Sequence, residues 1–227
     1  GFMKANNLYE SVLSDDISDD EIAELFIAGK FTPEQRKIVE QVLEFTDWPL
    51  AVRSSSLLED ALHQPFAGVY STYMLPNDHP ELDVRVEQLI RTIKLVYAST
   101  FYRKAKAYVS ATPNSIEEER MAVVIQELVG SRHGDLFYPT ISGVARSHNH
   151  YPVGDIEPGD GLAAMALGLG RTVADGERCL RVSPAHPKRV HQFASTEMTL
   201  KTAQRQFWAV KMEEFAGTIG RDPNITM

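Results

Sequence analysis

Hydrophobic positions recur at helical spacing in the first part of the chain. Residues 18–21 read Ser-Asp-Asp-Glu, which is the spacing of a capping box, and apolar residues follow on one face as far as Gly29. Residues 32–35 read Thr-Pro-Glu-Gln and predict the start of a second helix. The predicted apolar stripe of this helix consists of Ile38, Val39, Val42, Leu43 and Phe45. We therefore expect a packed pair of helices within residues 14–46.

The same spacing predicts one long amphipathic helix over residues 80–109. Its apolar residues are Leu82, Val86, Leu89, Ile90, Ile93, Val96, Tyr97 and Phe101. Three cations, Arg103, Lys104 and Lys106, lie near its predicted end, where positive charge interacts favourably with the helix dipole. We interpret them as a solvated face rather than as a phosphate site.

Short apolar runs predict strands between and after these helices. They lie at residues 48–52, 68–75, 121–125, 136–138 and 141–147. Residues 154–170 are rich in glycine and alanine, and residues 203–215 have the pattern of a final helix. The chain thus mixes helices and strands, and it contains no internal repeat.

Composition narrows the class of protein. The 227 residues are 43% hydrophobic and 24% charged, as in ordinary globular proteins. No apolar run approaches the roughly 20 residues of a membrane helix and no signal sequence opens the chain, so we expect a cytoplasmic protein without a membrane partner. The net charge of −8 argues against general nucleic-acid binding but not against one bound nucleotide. The single cysteine, Cys179, excludes an internal disulfide and a cysteine metal cluster.

The most informative segment joins a strand to a polar turn. Residues 50–56 read Leu-Ala-Val-Arg-Ser-Ser-Ser, an acidic pair follows at residues 59–60, and residues 66–72 read Phe-Ala-Gly-Val-Tyr-Ser-Thr. A strand that delivers Arg53 and small hydroxyl residues suits a bound polyphosphate, because arginine offers a planar fork of donors and small residues allow close backbone approach. From the residues alone, the alternative is a buried strand that ends in a polar turn.

This segment resembles the N-terminal nucleotide-binding domain of phosphoenolpyruvate synthase and pyruvate phosphate dikinase. The matching residues follow the order A-V-R-S-S-x-x-x-E-D and then F-A-G-x-x-x-T-Y. This PEP/pyruvate-binding family also includes rifampin phosphotransferases and glucan water dikinases, and its domain is ATP-grasp-like. Residues 123–129 resemble the family's hinge element, V-x-V-Q-x-M-V, and the resemblance as a whole covers residues 45–185.

Two further segments extend the resemblance. Residues 143–147 resemble the strand S-G-V-x-F-S/T that follows the hinge, and residues 168–176 resemble the loop G-L-G-E-x-V-V-x-G. Arg146 replaces an apolar residue of the family pattern, and Arg171 replaces an acidic one. No ribose or metal role is therefore carried over to the loop at residues 168–176.

The resemblance implies roles for individual residues near the first segment. Arg53 is expected to contact the nucleotide phosphates and to act in catalysis. Gly68 and Thr72 are expected to line the phosphate loop through backbone and hydroxyl donors. Ser54 and Ser55 are expected to shape the turn rather than to contact the ligand.

At the hinge, the resemblance implies that Gln126 meets the base or the ribose. Glu127 and the backbone of Leu128 are the expected neighbours. An amide side chain can both donate to and accept from a base edge. From the residues alone, Gln126 is also consistent with an ordinary polar strand end.

Other elements of the family pattern have no counterpart in this sequence. There is no glycine-flanked lysine near its start, no D-x-E or L-Q-x-R near its end, and no T-S-H of a carrier histidine. The resemblance therefore implies that the ligands for Mg²⁺ lie outside this chain, and no metal ligand is predicted within it. Residues 1–3 read Gly-Phe-Met, which is unusual for a natural start, and we expect a fragment of a longer protein.

These observations predict an α+β fold that is a partial ATP-grasp-like nucleotide-binding domain. We expect a helical lead-in at residues 1–46, the nucleotide-binding region at residues 47–202, and a C-terminal helix and chain end at residues 203–227. The resemblance implies that the parent protein is a phosphotransferase of the phosphoenolpyruvate synthase or pyruvate phosphate dikinase type. It would bind Mg-ATP and pass phosphate to a carrier histidine in another domain, and the isolated fragment would be inactive.

Two alternatives stay open at this point. The chain could be a non-catalytic nucleotide-binding regulatory module on the same fold, because a fold does not determine a function. It could also come from a related dikinase with a different acceptor, an antibiotic or a glucan. The sequence does not identify the acceptor.

Overall fold

The structure is a computed structural model that describes residues 1–14, 16–56, 58–59, 68–112, 115–116, 119–212 and 225–226. The described residues divide into two compact units. The first contains those between Gly1 and Leu128 together with Met212, and the second contains those between Val129 and Lys211 together with residues 225–226. The predicted segment boundaries at residues 46 and 202 stay a prediction.

The first unit combines helices with a small sheet. Its helices are α1 (Phe2–Ala5), α2 (Tyr9–Leu13), α3 (Asp19–Ala28), α4 (Pro33–Glu44), α5 (Leu82–Ser99) and α6 (Arg103–Ser110). Its strands are β1 (Leu50–Ser56), β2 (Thr72–Leu75) and β3 (Met121–Glu127). The strand order is β2-β1-β3, and β1 pairs antiparallel with both neighbours.

The second unit is built mainly from short antiparallel strands. They are β4 (Ser131–His133), β5 (Leu136–Tyr138), β6 (Ser142–Arg146), β7 (Leu162–Ala166), β8 (Leu180–Val182), β9 (Ala209–Lys211) and β10 (Ile225–Thr226). One sheet has the order β10-β9-β5-β4 and the other β6-β7-β8. The helices of this unit are α7 (Arg171–Ala174) and α8 (Thr196–Thr202). The mixture of helices and antiparallel strands is compatible with the predicted α+β class.

The two predicted capping boxes are present. At the start of α3, the backbone N–H of Ser18 donates to the Glu21 carboxylate over 2.9 Å and Glu21 N–H donates to Ser18 Oγ over 3.2 Å. At the start of α4, Thr32 and Gln35 make the same reciprocal pair. Each box satisfies N–H groups that a helix start leaves without partners, and α3 ends at Gly29 as predicted.

Helix α5 is the centre of the hydrophobic core of the first unit. Val86, Leu89 and Val96 are fully buried at helical spacing, and α3 and α4 both pack against this helix. Leu50 and Val52 of β1 join the same core from the sheet. The core therefore fixes the sheet against the helices along one of its two faces.

The predicted helix over residues 80–109 is wrong as a single element. It is two helices, because α5 ends at Ser99 and the chain becomes extended at Tyr102 before α6 begins. Phe101 and Tyr102 are both buried at this break. The free energy gained by burying two aromatic side chains exceeds the free energy that a continuous helix would have contributed. Arg103, Lys104 and Lys106 consequently lie at the start of a helix and not near the end of one.

Only two of the five residues in the predicted stripe of α4 are buried. Val39 and Leu43 are buried, but Ile38, Val42 and Phe45 are exposed, the last to 89%. A single face of α4 contacts α5, and that contact covers only the row that contains Val39 and Leu43.

The predicted final helix over residues 203–215 is also wrong in its described part. Residues 209–211 form β9, which pairs with β5 through Phe137 and Val210, and residues 213–215 lie outside the described residues. Ladder hydrogen bonds to β5 override the helical pattern here.

None of the helices in the described ranges is both long and apolar enough to cross a bilayer.

We predict that Ser18→Ala lowers the free energy of unfolding by about 1 kcal/mol, because the first turn of α3 loses its cap. Chemical denaturation measures this change. Glu24→Ala, an exposed substitution in the same helix outside the box, is the control. An equal loss in both variants would contradict the role of the cap.

The effect of Ser18→Ala should depend on pH. Hydrogen bonds from the Ser18 hydroxyl and backbone lower the pKa of the Glu21 carboxyl. A carboxyl whose pKa is lower in the folded state contributes stability above its unfolded pKa and loses it as pH falls through its folded pKa. The difference between wild type and Ser18→Ala should therefore shrink in acid, which denaturation across a pH series tests.

Candidate functional site

The sheet β2-β1-β3 has one face in the core and one face turned away from it. Val52 pairs with Tyr73 and with Ile125, and these side chains lie on the core face. Because side chains alternate along a strand, the neighbouring residues lie on the other face. We call this the Arg53 face, and it carries Ala51, Arg53, Ser55, Thr72, Met74, Ala122, Val124 and Gln126.

Three predicted site residues meet on the Arg53 face. Arg53 pairs directly with Thr72 across β1 and β2, and Ala51 pairs with Gln126 across β1 and β3. The guanidinium of Arg53 donates to the side-chain oxygen of Gln126 over 3.1 Å. All three side chains are exposed. The sheet register thus joins residues from three separate parts of the chain into one polar patch.

Glu127 does not share this face. It pairs with Leu50, so it lies on the opposite side of the sheet from Gln126. Its carboxylate accepts a hydrogen bond from the hydroxyl of Thr46 over 2.5 Å. The carboxylate is therefore engaged with the turn that precedes β1, and a direct ligand role for it stays a prediction.

The backbone of Leu128 is already hydrogen-bonded within the first unit. Its N–H donates to the carbonyl of Pro49 over 2.8 Å, and its carbonyl accepts from Nε1 of Trp48 over 2.6 Å. A carbonyl oxygen has a second lone pair, so it can accept one further donor such as an amino group. The N–H of Leu128 cannot serve a ligand without giving up Pro49.

Gly68 lies close to Lys104, one of the three cations that the sequence predicted to form a solvated face. Its carbonyl accepts a hydrogen bond from Nζ of Lys104 over 2.6 Å. Gly68 has φ of 73°, a left-handed conformation that glycine adopts without strain. Lys104 lies in the first turn of α6, where the helix dipole is unfavourable to a cation, and the Gly68 carbonyl offsets that cost. Lys104 is thus a second positive charge beside a predicted phosphate-binding residue.

A partly buried polar network lies where β1 ends. The carboxylate of Glu59 accepts from the Ser54 hydroxyl over 2.9 Å and from the Ser56 N–H over 3.2 Å. The hydroxyl of Tyr70 donates to the buried Glu119 over 2.7 Å. Burial and the neighbouring Glu119 raise the pKa of the Tyr70 phenol. The contact between Ser54 and Glu59 supports the expectation that Ser54 shapes the turn.

In the second unit, backbone geometry accounts for the glycines of the two resembling segments. A Cβ at Gly143 would lie 2.2 Å from the carbonyl of Ala164 on the paired strand, so only glycine permits this approach. Gly168 has φ of 86°, and a Cβ there would lie 2.6 Å from the carbonyl of Trp208. These glycines therefore serve packing within the unit.

Arg171 occupies the position that is acidic in the family pattern. Its guanidinium lies 4.3 Å from the ring centre of Trp208 and donates to Asp175 over 3.0 Å. Stacking and ion pairing of this kind suit arginine better than a carboxylate. The side chain is thus held by contacts inside the second unit.

In the ranges that the structure describes, no three histidine, cysteine, aspartate or glutamate side chains come together in a way that could hold a metal ion. Glu59 and Glu119 accept hydrogen bonds from Ser54 and Tyr70. The ligands for Mg²⁺ stay a prediction.

One sheet face thus presents an exposed arginine without a carboxylate partner among the described residues, a hydroxyl and an amide, which are groups that can bind an anion. Comparison with known families agrees with this class. Residues 4–216 match the family described as pyruvate phosphate dikinase, AMP/ATP-binding domain. The chain belongs to this family, which confirms the resemblance and extends it beyond residues 45–185.

A bacterial relative points to the same group. The chain is 33% identical over 128 residues to a protein of Bacillus subtilis (strain 168) that is named uncharacterized phosphotransferase YvkC. The match covers 56% of this chain and 13% of that protein. The chain therefore spans a small part of a much longer relative.

We predict that Tyr70→Phe lowers the free energy of unfolding by about 1–3 kcal/mol, because Glu119 loses a donor in a buried place. Urea denaturation measures this, with Tyr9→Phe, which alters an exposed tyrosine, as the control. A phenol whose folded pKa is raised stabilises the protein below its unfolded pKa and loses that contribution as pH rises toward the folded value. The difference between the variants should therefore shrink above about pH 10. Equal stability of Tyr70→Phe and wild type at neutral pH would contradict a stabilising role for the hydrogen bond to Glu119.

Proposed function

We propose that this chain binds Mg-ATP as part of a phosphotransferase of the phosphoenolpyruvate synthase or pyruvate phosphate dikinase type. The observation that carries the proposal is Arg53 on its sheet face. In a chain of net charge −8, this guanidinium is exposed and has no carboxylate partner among the described residues. Such a cation is available to a polyanion. Membership of the AMP/ATP-binding family supports ATP as that polyanion.

The phosphates of ATP would lie against Arg53, with Thr72 beside it. A guanidinium has five N–H donors, and in the described part of the chain one acceptor, Gln126, meets those of Arg53. The remaining donors can form the paired hydrogen bonds that arginine makes with phosphate. Lys104, at the Gly68 carbonyl, would add a second positive charge.

The base or ribose would lie toward Gln126. The oxygen of the Gln126 amide already accepts from Arg53, so its NH₂ group remains to donate to the nucleotide. The hydrogen bond between Arg53 and Gln126 would thus connect the side chain that binds the phosphates to the side chain that binds the base or ribose. Glu127 would lie on the face of the sheet away from the nucleotide. The Leu128 carbonyl could accept one further donor.

Catalysis in this arrangement would depend on position and charge. Phosphoryl transfer requires alignment of the donor and neutralisation of charge on its oxygens, and an arginine supplies both. We propose that the parent protein passes the phosphate to a carrier histidine in another domain. Ligands for Mg²⁺ would come from outside this chain.

A second function is favoured by one observation. Arg171 replaces the acidic residue of the family loop and is held by Trp208 and Asp175. This arrangement suits a nucleotide-binding module that regulates rather than transfers. A parent that phosphorylates an antibiotic or a glucan would differ only in its acceptor.

We predict that Arg53→Ala weakens Mg-ATP binding by roughly 1.5–3 kcal/mol, the scale of a lost charge-assisted contact. Isothermal titration calorimetry on the 227-residue chain measures this. Arg53→Lys should fall between wild type and Arg53→Ala, because it keeps the charge and loses the planar fork.

Arg36→Ala is the matched control for Arg53→Ala. Arg36 lies in the same unit, but it is paired with Asp83 and Glu87 on α5 and does not lie on the sheet. Its removal should leave ATP affinity unchanged. Saturable binding that Arg53→Ala and Arg36→Ala weaken equally would contradict the proposed site.

The isolated chain should turn over little ATP, since the glycine-flanked lysine and the metal ligands of the family pattern are missing from it. A phosphate-release assay with Mg²⁺ measures this, and the full-length parent is the control. Sustained hydrolysis or phosphotransfer by this chain alone would show that the missing elements are not required.

A further inference from the structure

The end of β3 is held by a turn that precedes β1. This turn, residues 46–49, contacts the strand end through three hydrogen bonds. Nε1 of Trp48 and the carbonyl of Pro49 bind the backbone of Leu128, and the hydroxyl of Thr46 binds the carboxylate of Glu127. These are the two residues that directly follow Gln126.

Two side chains, Asn77 and Arg85, donate hydrogen bonds to the backbone of this turn. Nδ2 of Asn77 donates to the carbonyls of Thr46 and Trp48 over 3.2 Å and 3.0 Å. Nη1 of Arg85, on α5, donates to the carbonyls of Leu43 and Thr46 over 3.3 Å and 2.9 Å. The carbonyls of this turn thus receive side-chain donors in place of a regular ladder.

Asn77 is the central residue of this arrangement. It is fully buried and has φ of 55°, a left-handed conformation that asparagine tolerates better than most residues. It lies two residues after β2, so it ties the end of one edge strand to the turn that holds the end of the other.

We propose that Asn77 is a positioning residue for the base end of the nucleotide site. It holds residues 46–49, these residues hold Glu127 and Leu128, and the anchored strand end keeps Gln126 in place on the Arg53 face. The inference rests on the proposed function. Asn77 itself makes no contact with the ligand in this arrangement.

The two ends of the ligand should respond differently to a change at Asn77. The backbones of Arg53 and Thr72 are fixed by their pairing across β1 and β2, which does not pass through residues 46–49. Loosening the turn should therefore impair recognition of the nucleoside and leave recognition of the polyphosphate intact. A simple loss of fold stability would impair both.

The test compares ATP with inorganic tripolyphosphate by calorimetry. We expect Asn77→Ala to weaken ATP binding roughly fivefold, the effect of losing one hydrogen bond between Gln126 and the nucleoside, and to leave tripolyphosphate binding within about twofold. Trp48→Phe removes the indole N–H together with part of the ring, and it should act in the same direction, so it serves if Asn77→Ala does not fold. Thr92→Ala removes a buried hydroxyl that bonds within α5, and it controls for general destabilisation.

A spectroscopic measurement reports on the turn without ligand. In a Trp208→Phe background, Trp48 is the single indole of the chain. Asn77→Ala should shift its emission to longer wavelength, because the indole loses its fixed contact with Leu128 and meets more water. Thr92→Ala should leave the emission unchanged.

The outcomes test the role of Asn77 separately from the proposed nucleotide binding on which it rests. If wild type bound neither ATP nor tripolyphosphate, the proposed function would be wrong and the role of Asn77 with it. If wild type bound both, and Asn77→Ala and Trp48→Phe changed neither or weakened both ligands equally, the role of Asn77 alone would be wrong.

Discussion

The pairing of β1 with β3 decides where the side chains of the proposed nucleotide site lie. Seven consecutive pairs, from Leu50 with Glu127 to Ser56 with Met121, join segments some seventy residues apart in the chain. Because side chains alternate with a period of two, a slip of one residue would move Gln126 to the core face, away from Arg53. The packing of Ile125 against the core opposes such a slip, since Gln126 would otherwise take its place there. The hydrophobic core thus sets the polar site.

The two faces of the sheet have separate physical tasks. The core face buries Leu50 and Val52 against α5, and α3 and α4, whose caps the sequence specifies clearly, pack on the same helix. The Arg53 face carries a cation, a hydroxyl and an amide with small or modest side chains between them, such as Ala51 and Ala122. Small neighbours leave open space on this face, and within the described ranges no carboxylate pairs with Arg53. Polar networks at both ends of β1, around Glu59 and around Asn77, hold the strand in register.

Local signals in the sequence were accurate where the physics is local. Both capping boxes and the strands around Arg53 and Gln126 were predicted, because a cap needs only three or four consecutive residues and a buried strand needs only an apolar run. The resemblance to the family was carried by ungapped motifs and is confirmed over residues 4–216. Prediction failed where distant contacts compete with local preference. Burial of Phe101 and Tyr102 divides one predicted helix into two, and pairing with β5 makes a strand of residues 209–211.

The sequence by itself determined the family, the apolar segments and the residue types that suit a polyphosphate. It could not place Lys104 beside Gly68, because that contact spans thirty-six residues and depends on the break between α5 and α6. Nor could it show that the Glu127 carboxylate bonds to Thr46, or that Asn77 holds the turn before β1. Only the tertiary structure decided these points. Hydrogen bonds between distant segments form where the core has already brought the segments together, and their partners leave no pattern along the chain.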